Sequence, residues 1–332
     1  MKWRMFICAI CFLIGGCSLN IPLEDQFSDP DAITDVLSAR SLLASAYKAM
    51  PQQIFQLSVL SDDFCPSQHL NKDMSLQGLY NWREVEMTEL AGTLWAGYYA
   101  VIAEVNALLA RIDAVVTLDE TEKLEKMRIV CEAKALKSWC YFDLLRLFAP
   151  RYEGNENKDG IILKKRVELD FLPRSSVKEC VTEIRTLLNE ARNVDNTQKN
   201  VYWLSDKAVA YLQVELELYA GNYPAVLELT KDLETEYPES VLGADVYKYL
   251  WSSENSDARI FGKYQLEQIY MDIRFDTFEK GDYLVLSQNV DYEEEDIRKG
   301  IGDVMGGKVL ELESERLKAE GRTEGEAIGQ VQ

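Results

Sequence analysis

Residues Arg128 to Pro150 read RIVCEAKALKSWCYFDLLRLFAP, and this stretch decides the fold. Met127, Cys131, Ala135, Trp139, Phe142 and Leu145 recur at three- and four-residue steps on one side. Val130, Ala133, Leu136, Cys140, Leu144 and Leu147 do the same on the other. Two apolar stripes predict a helix buried between neighbours on both flanks, not one lying on a surface. Lys134, Lys137 and Arg146 must then reach water along their stems or find acidic partners. Pro150 stops the helix, and Gly154, Asn155 and Asn157 supply the exit loop.

Helical periodicity extends in both directions from there. Residues 30–50 predict a first helix, capped by Asp29 and stopped by Pro51, with Ile33, Val36, Leu37, Leu43, Tyr47 and Met50 on one face. Gln52 to Glu89 lacks sustained periodicity and reads as mostly loop. Leu94 to Val116 predicts a second strong helix, with Trp95, Tyr98, Ile102, Val105 and Leu109 inward. Asn106 falls near its apolar face and is expected to be a hydrogen-bonded structural residue. Ser176 and Glu179 form a capping box before a stripe of Val177, Val181, Ile184, Leu188 and Ala191. Ser205 caps a helix carrying Ala208, Leu212, Leu216 and Tyr219. Gly221-Asn222 turns the chain, and Pro224 opens a partner helix with Ala225, Leu229 and Leu233 that Pro238 ends. That arrangement is a tetratricopeptide-type hairpin, and stacked hairpins bury a shared core as a curved platform.

The chain has 332 residues, 47% of them hydrophobic, enough for one large or two ordinary domains. With 36 basic against 56 acidic residues the formal charge is -20, which repels nucleic-acid phosphate and anionic lipid. Neutral sugars or a basic protein surface remain compatible partners. A single histidine, His69, argues against histidine-based metal sites and Ser-His-Asp catalysis. Cys65, Cys131, Cys140 and Cys180 show no C-x-x-C spacing. Cys131 and Cys140 lie roughly 13 Å apart along one helix, beyond disulfide reach, so buried thiols are expected. No metal site and no cofactor follow from the sequence. Asn155 to Gly160 mimics half an EF-hand loop, but Arg166 stands where the closing carboxylate is required.

The first 16 residues have a basic start (Lys2, Arg4), an apolar run from Met5 to Ile14, then Gly15-Gly16-Cys17. The run is too short to span a bilayer and reads as a signal-peptide core. It resembles the lipobox of bacterial lipoproteins, in which the cysteine, here Cys17, is acylated and holds the chain to the membrane by lipid. Residues 17–29 then read as a polar tether.

Several motifs resemble the SusD/RagB family, and the resemblance covers roughly residues 17 to 300. Cys131-Glu132-Ala133-Lys134-Ala135-Leu136 followed by Tyr141 to Phe148 resembles its G-E-A-R-x-L-R-A…Y-F-D-L-x-R-x-F-G helix, with Cys131 for Gly and lysines for arginines. Trp95 to Asn106 resembles its W…Y-x-x-I-x-x-x-N run, and Gly160-Ile161-Ile162-Leu163 with Pro173 to Val177 its G-I-P-L…P-R-s-s-V segment. Asn255 to Phe261 and Tyr292 to Arg298 resemble its later segments, the first leading into a short strand. The resemblance implies a mainly α, tetratricopeptide-like lipoprotein of the Bacteroidetes outer membrane, facing the cell surface. It would bind glycan, partner a TonB-dependent (SusC-like) transporter and do no bond chemistry. The implied organisation is a signal peptide over 1–16, a tether over 17–29, a helical platform over 30–238, a reduced family C-terminal part over 239–305 and a polar tail over 306–332. That tail carries a glycine near-repeat at Gly321, Gly325 and Gly329. With few residues after Arg298, the expectation is a shortened copy with an intact platform and reduced glycan binding.

Aromatic rings stack on the C–H faces of sugars, so exposed ones are the candidate ligand contacts. Trp95, Trp139, Tyr98 and Tyr219 lie on helical stripes and read as core, whereas Trp203 and Trp251 border elements and stay open. Tyr80 and Trp82 sit in a polar stretch and are the candidate glycan residues; core packing is the preferred reading of Trp82, and Tyr80 stays open. Two rival functions stand beside glycan capture. One is a lipidated scaffold that binds only protein. The other is a glycosidase built from Asp62, Asp63, Glu84 or Glu86, which requires carboxylates about 5 to 9 Å apart.

Overall fold

The computed structural model describes residues 33–61, 64–66, 74–167, 171–192, 202–236, 260–262 and 283–285. The signal segment with Cys17, the tether, Asp62, Asp63, His69, Pro238, Trp251 and the C-terminal tail lie outside them. Among the described residues the fold is mainly helical: α1 (Val36–Lys48), α2 (Ile54–Leu60), α3 (Met74–Tyr80), α4 (Glu84–Arg111), α5 (Glu120–Phe148), α6 (Val177–Ala191), α7 (Asp206–Tyr219) and α8 (Tyr223–Glu236). A short antiparallel ladder pairs β1 (Phe64–Pro66) with β2 (Tyr283–Val285), Cys65 opposite Leu284.

α5 is the central element. Asp119 caps it by accepting the Glu122 N–H at 2.8 Å, and Glu120 and Glu122 place negative charge at its positive end. Ile129, Ala133, Leu136, Cys140 and Leu144 are fully buried on one side, Ala135 and Leu145 on the other. The second stripe is buried from Ala133 to Leu144, but the first only at Ala135, Phe142 and Leu145, with Cys131 and Trp139 half-buried; the helix packs against α1, α4, α6 and α7. Both stripes fail at the ends, where Met127 and Leu147 are exposed because the neighbouring helices do not reach them. Ala149, preceding Pro150, turns to extended backbone as a pre-proline residue must, and ends the helix.

α1 starts later than the sequence predicts. Asp35, not Asp29, is its cap: Asp35 Oδ1 accepts the Ser38 N–H at 2.7 Å, and Ser38 Oγ accepts the Asp35 N–H at 3.1 Å. Val36, Ala39, Leu42, Leu43 and Ala46 turn inward and Leu37, against expectation, outward. The expected loop over Gln52–Glu89 contains two helices of two turns each, α2 and α3, and the start of α4. Two turns are too few to show a periodicity, and they hold because they pack on their neighbours. α4 begins ten residues before Leu94, with Glu84 and Glu86 in its first turn. By length and composition α4 passes for a membrane-crossing helix, but Leu94, Tyr98, Val101, Ile102, Val105 and Leu108 are buried in the core.

The α6 capping box forms as predicted, with Ser176 Oγ accepting the Glu179 N–H and Glu179 Oε2 accepting the Ser176 N–H at 2.8 Å. Its whole predicted stripe is buried. Ser205 caps α7. Gly221, at φ 70°, turns the chain into α8 in a backbone region that favours glycine. The α7–α8 hairpin closes on a small cluster of Ala210, Val214 and Leu233 beside the main core.

The segment between α5 and α6 is fixed by hydrogen bonds. Gly160 N–H donates to Ser175 O at 2.7 Å and Ser175 N–H to Ile161 O at 2.8 Å. A Cβ on Gly160 would lie 2.8 Å from Cys180 Sγ and 3.0 Å from Ser175 O, so only glycine fits between them. Arg174 donates to Phe148 O and Gly160 O, both at 2.9 Å, and its guanidinium lies over the Trp95 ring. The PRSSV stretch therefore acts as a clasp that ties the end of α5 to the start of α6.

Candidate functional site

The corner between α3 and α4 holds both candidate glycan residues. Arg83 N–H donates to Gly78 O at 2.9 Å and Trp82 N–H to Leu79 O at 3.0 Å. These are the two hydrogen bonds of a Schellman helix end, with Trp82 at the left-handed position usually taken by glycine. Trp82 has φ 54° and is the one non-glycine residue with positive φ among those described. The Cβ penalty of that backbone is about 1–2 kcal/mol. Its side chain is 64% exposed, so core packing, the preferred sequence reading, is overturned. The helix end sets the direction of the residue, and no periodicity could reveal that. Tyr80, the last residue of α3, is half-buried and packs against the core. Two adjacent aromatics thus share one corner, one anchored and one presented to solvent.

Other residues that sequence reasoning placed near chemistry are structural. Asn106 is buried as expected: its Nδ2 donates to Lys164 O at 2.9 Å, and its Oδ1 accepts from Lys137 Nζ at 2.6 Å. Lys137 is the surprise, because it reaches neither water nor a carboxylate. It is buried, and burial pulls its ammonium down to about 8. Lys134 and Arg146 do find acids, Glu190 at 2.9 Å and Asp143 at 2.5 Å.

Glu132, in the middle of α5, was not singled out from the sequence. It is 1% exposed and accepts two hydrogen bonds from Arg40 Nη1 at 3.0 Å and one from the Tyr47 hydroxyl at 3.3 Å. Arg40 also pairs with Glu125 at 2.6 Å and stacks on Trp203 at 4.8 Å. Burial pushes the Glu132 carboxyl up to about 7, against the pull of Arg40. Asp143 accepts from the Tyr98 hydroxyl at 2.9 Å, and burial holds that phenol far above its ordinary value. A buried carboxylate beside an arginine resembles an active-site arrangement. Here Glu132 is closed over by Arg40 and Tyr47, and Asp143 is held by Tyr98 and Arg146.

Glu84 and Glu86 occupy the first turn of α4, two residues apart, where they serve the helix end. Cys140 is buried as expected, whereas Cys131, expected to be buried too, is half-buried; Cys180 is also buried. Trp95 packs edge-on to Phe148 at 5.1 Å, and Trp139, half-buried at the margin of the core, meets Phe261 at 5.0 Å.

Comparison with known proteins gives the arrangement its context. Residues 23–214 match the SusD-like family model described as starch-binding, associating with the outer membrane. No curated protein matches the chain. Among solved structures, a SusD-like carbohydrate-binding protein of Bacteroides vulgatus superposes with a TM-score of 0.62 at 16% identity, over 74% of this chain and 55% of its own. A SusD superfamily protein of Bacteroides thetaiotaomicron gives 0.59 at 17% identity, over 71% and 54%. A laminarin-binding SusD-like protein gives 0.50 at 20% identity, over 66% and 49%. The chain spans about half the length of the solved relatives it matches. The likeness shows the fold, and the matched model, spanning more than half of the sequence, shows the membership: this chain belongs to the SusD-like family.

Proposed function

We propose that the protein is a cell-surface glucan-binding lipoprotein, acylated at Cys17, that presents oligosaccharide to a TonB-dependent transporter of the outer membrane. It works by stacking and hydrogen bonding and breaks no bond. The observation that carries this reading is Trp82, an exposed indole held at a strained helix end where glycine would be easier. Strain kept at an exposed position points to use, since packing gains nothing from it. Tyr80 beside it adds a partly covered ring and a hydroxyl. The family's starch-binding description and the laminarin-binding relative both favour glucose polymers.

Calorimetry with maltoheptaose and with laminarihexaose tests the reading. One of the two glucans is expected to bind, and Trp82→Ala should weaken that binding roughly tenfold, the effect of losing about 1.4 kcal/mol. Binding of neither glucan, or binding indifferent to Trp82, refutes it. The anchor is tested separately in cells. Cys17→Ala should move the protein from the membrane to the soluble fraction, and retention on membranes without any partner argues against lipid attachment.

A further inference from the structure

A second aromatic site lies away from Trp82. Between the C-terminal half of α5 and α7 there is a cavity of about 450 Å³. That is within the size range of small-ligand pockets and far above the water-sized voids of a packed interior. Trp139, Phe142 and Arg146 line it from α5, Tyr211 and Glu215 from α7, and Phe261 forms a further wall. It opens to solvent, for Tyr211 is 47% exposed and the Arg146 side chain 44%.

The lining divides into two chemistries. Trp139 and Phe261 meet edge to face at 5.0 Å, and the Arg146 guanidinium lies over Phe142 at 4.4 Å, so rings share the apolar part with Leu204, Ala208, Leu212 and Ile260. The polar part is a connected row. Arg146 Nη2 is held by Asp143 Oδ1, while Nη1 stands 3.7 Å from Glu215 Oε2, longer than a hydrogen bond, so that side of the guanidinium can take a closer acceptor. Tyr211 stands one turn before Glu215, and burial together with that carboxylate raises its phenol above the ordinary value. The row offers a guanidinium donor, a carboxylate acceptor and a phenol that serves as either. A purely apolar occupant would strip these groups of water and replace nothing. A pyranose has C–H faces for the rings and hydroxyls for the row.

We propose that this cleft is a second sugar subsite, taking one or two glucose units of the chain that Trp82 engages. The proposal rests on the glycan-binding reading above. α4 and α5 run antiparallel, with Trp95 against Phe148, so the start of α4 and the end of α5 lie at the same end of the hairpin. Trp82 precedes Trp95 by 13 residues, roughly 20 Å along the helix axis, so an oligosaccharide of several units is needed to reach from Trp82 to the cleft.

The experiment titrates the full-length chain with maltoheptaose and laminarihexaose by calorimetry, comparing Tyr211→Ala and Glu215→Gln with Trp82→Ala. Tyr211→Ala should weaken binding roughly three- to tenfold, the range expected for one aromatic contact, with unchanged thermal melting. Glu215→Gln, which keeps the shape of the side chain, should weaken it roughly two- to fivefold by removing a charged acceptor. It also serves as the second variant if Tyr211→Ala melts early. Binding that falls in Trp82→Ala but is unchanged in both cleft variants overturns the subsite and leaves the function standing, with the cleft open to a protein segment instead. Binding of neither glucan by the unsubstituted chain overturns both.

Discussion

Around the middle of α5, Glu132, Lys137 and Asp143 are charged groups taken out of water, and each ends on partners supplied by another element. At the corner between α3 and α4, Trp82 is an apolar group left in water on a backbone conformation that costs free energy. The first region resembles catalysis, with the raised carboxyl of Glu132 and an arginine beside it, and is structural. The second resembles an ordinary turn and is the better functional candidate. The difference teaches that a shifted titration alone does not mark a site. What matters is whether the unusual group is closed over or presented.

The largest expected effect breaks the structural side of that contrast. Glu132→Ala leaves Arg40 half-orphaned beside Glu125 and should cost about 3 to 5 kcal/mol, read as a shift of the midpoint in a urea titration. A loss below about 1 kcal/mol would mean that Glu125 alone suffices for Arg40. A milder change, Glu132→Gln, isolates the charge. Burial raises the folded-state carboxyl to about 7, above its ordinary value of 4.5. Between those values the folded chain holds a proton that the unfolded chain has released. The contribution of this group is therefore fully present below pH 4.5 and lost as pH rises through about 7. Relative to the Gln variant, the wild type should lose stability between pH 5 and pH 8. Parallel stability curves for the two proteins would contradict that assignment.

The smallest effect has the opposite sign and sharpens the functional side. Trp82→Gly removes the Cβ from a left-handed backbone and should stabilise the fold by about 1 kcal/mol, measured as a raised melting temperature. The same substitution should weaken glucan binding as Trp82→Ala does. A variant that is both more stable and a poorer binder separates the two roles of the position. Destabilisation would show instead that the indole contributes to packing.

Particular residues show how far the sequence could be read. The second stripe of α5, the stripe of α6, the Ser176–Glu179 box and the cap of Ser205 were all legible, because each is written within a few residues of itself. The position of Asn106 on the apolar face of α4 also forecast a satisfied polar group, although not its partners. Tyr80 and Trp82 could be picked out as aromatics in a polar stretch, but which of them faced solvent could not. Leu37 was misassigned because it sits about 100° around the helix from Val36, off the arc of Val36, Ala39, Leu43 and Ala46 that faces the core.

Composition and periodicity by themselves determined that the chain is acidic, mainly helical and without C-x-x-C spacing among Cys65, Cys131, Cys140 and Cys180, and the order of its motifs carried the resemblance to the SusD/RagB family. These properties depend on local spacing and on totals. Tertiary structure alone decided that Lys137 would donate to an amide 31 positions away, that Arg40 would meet Glu132 across 92, and that an open cleft would separate α5 from α7. Such contacts depend on which helix faces meet, and an α-helix repeats its faces every 3.6 residues without recording what lies opposite.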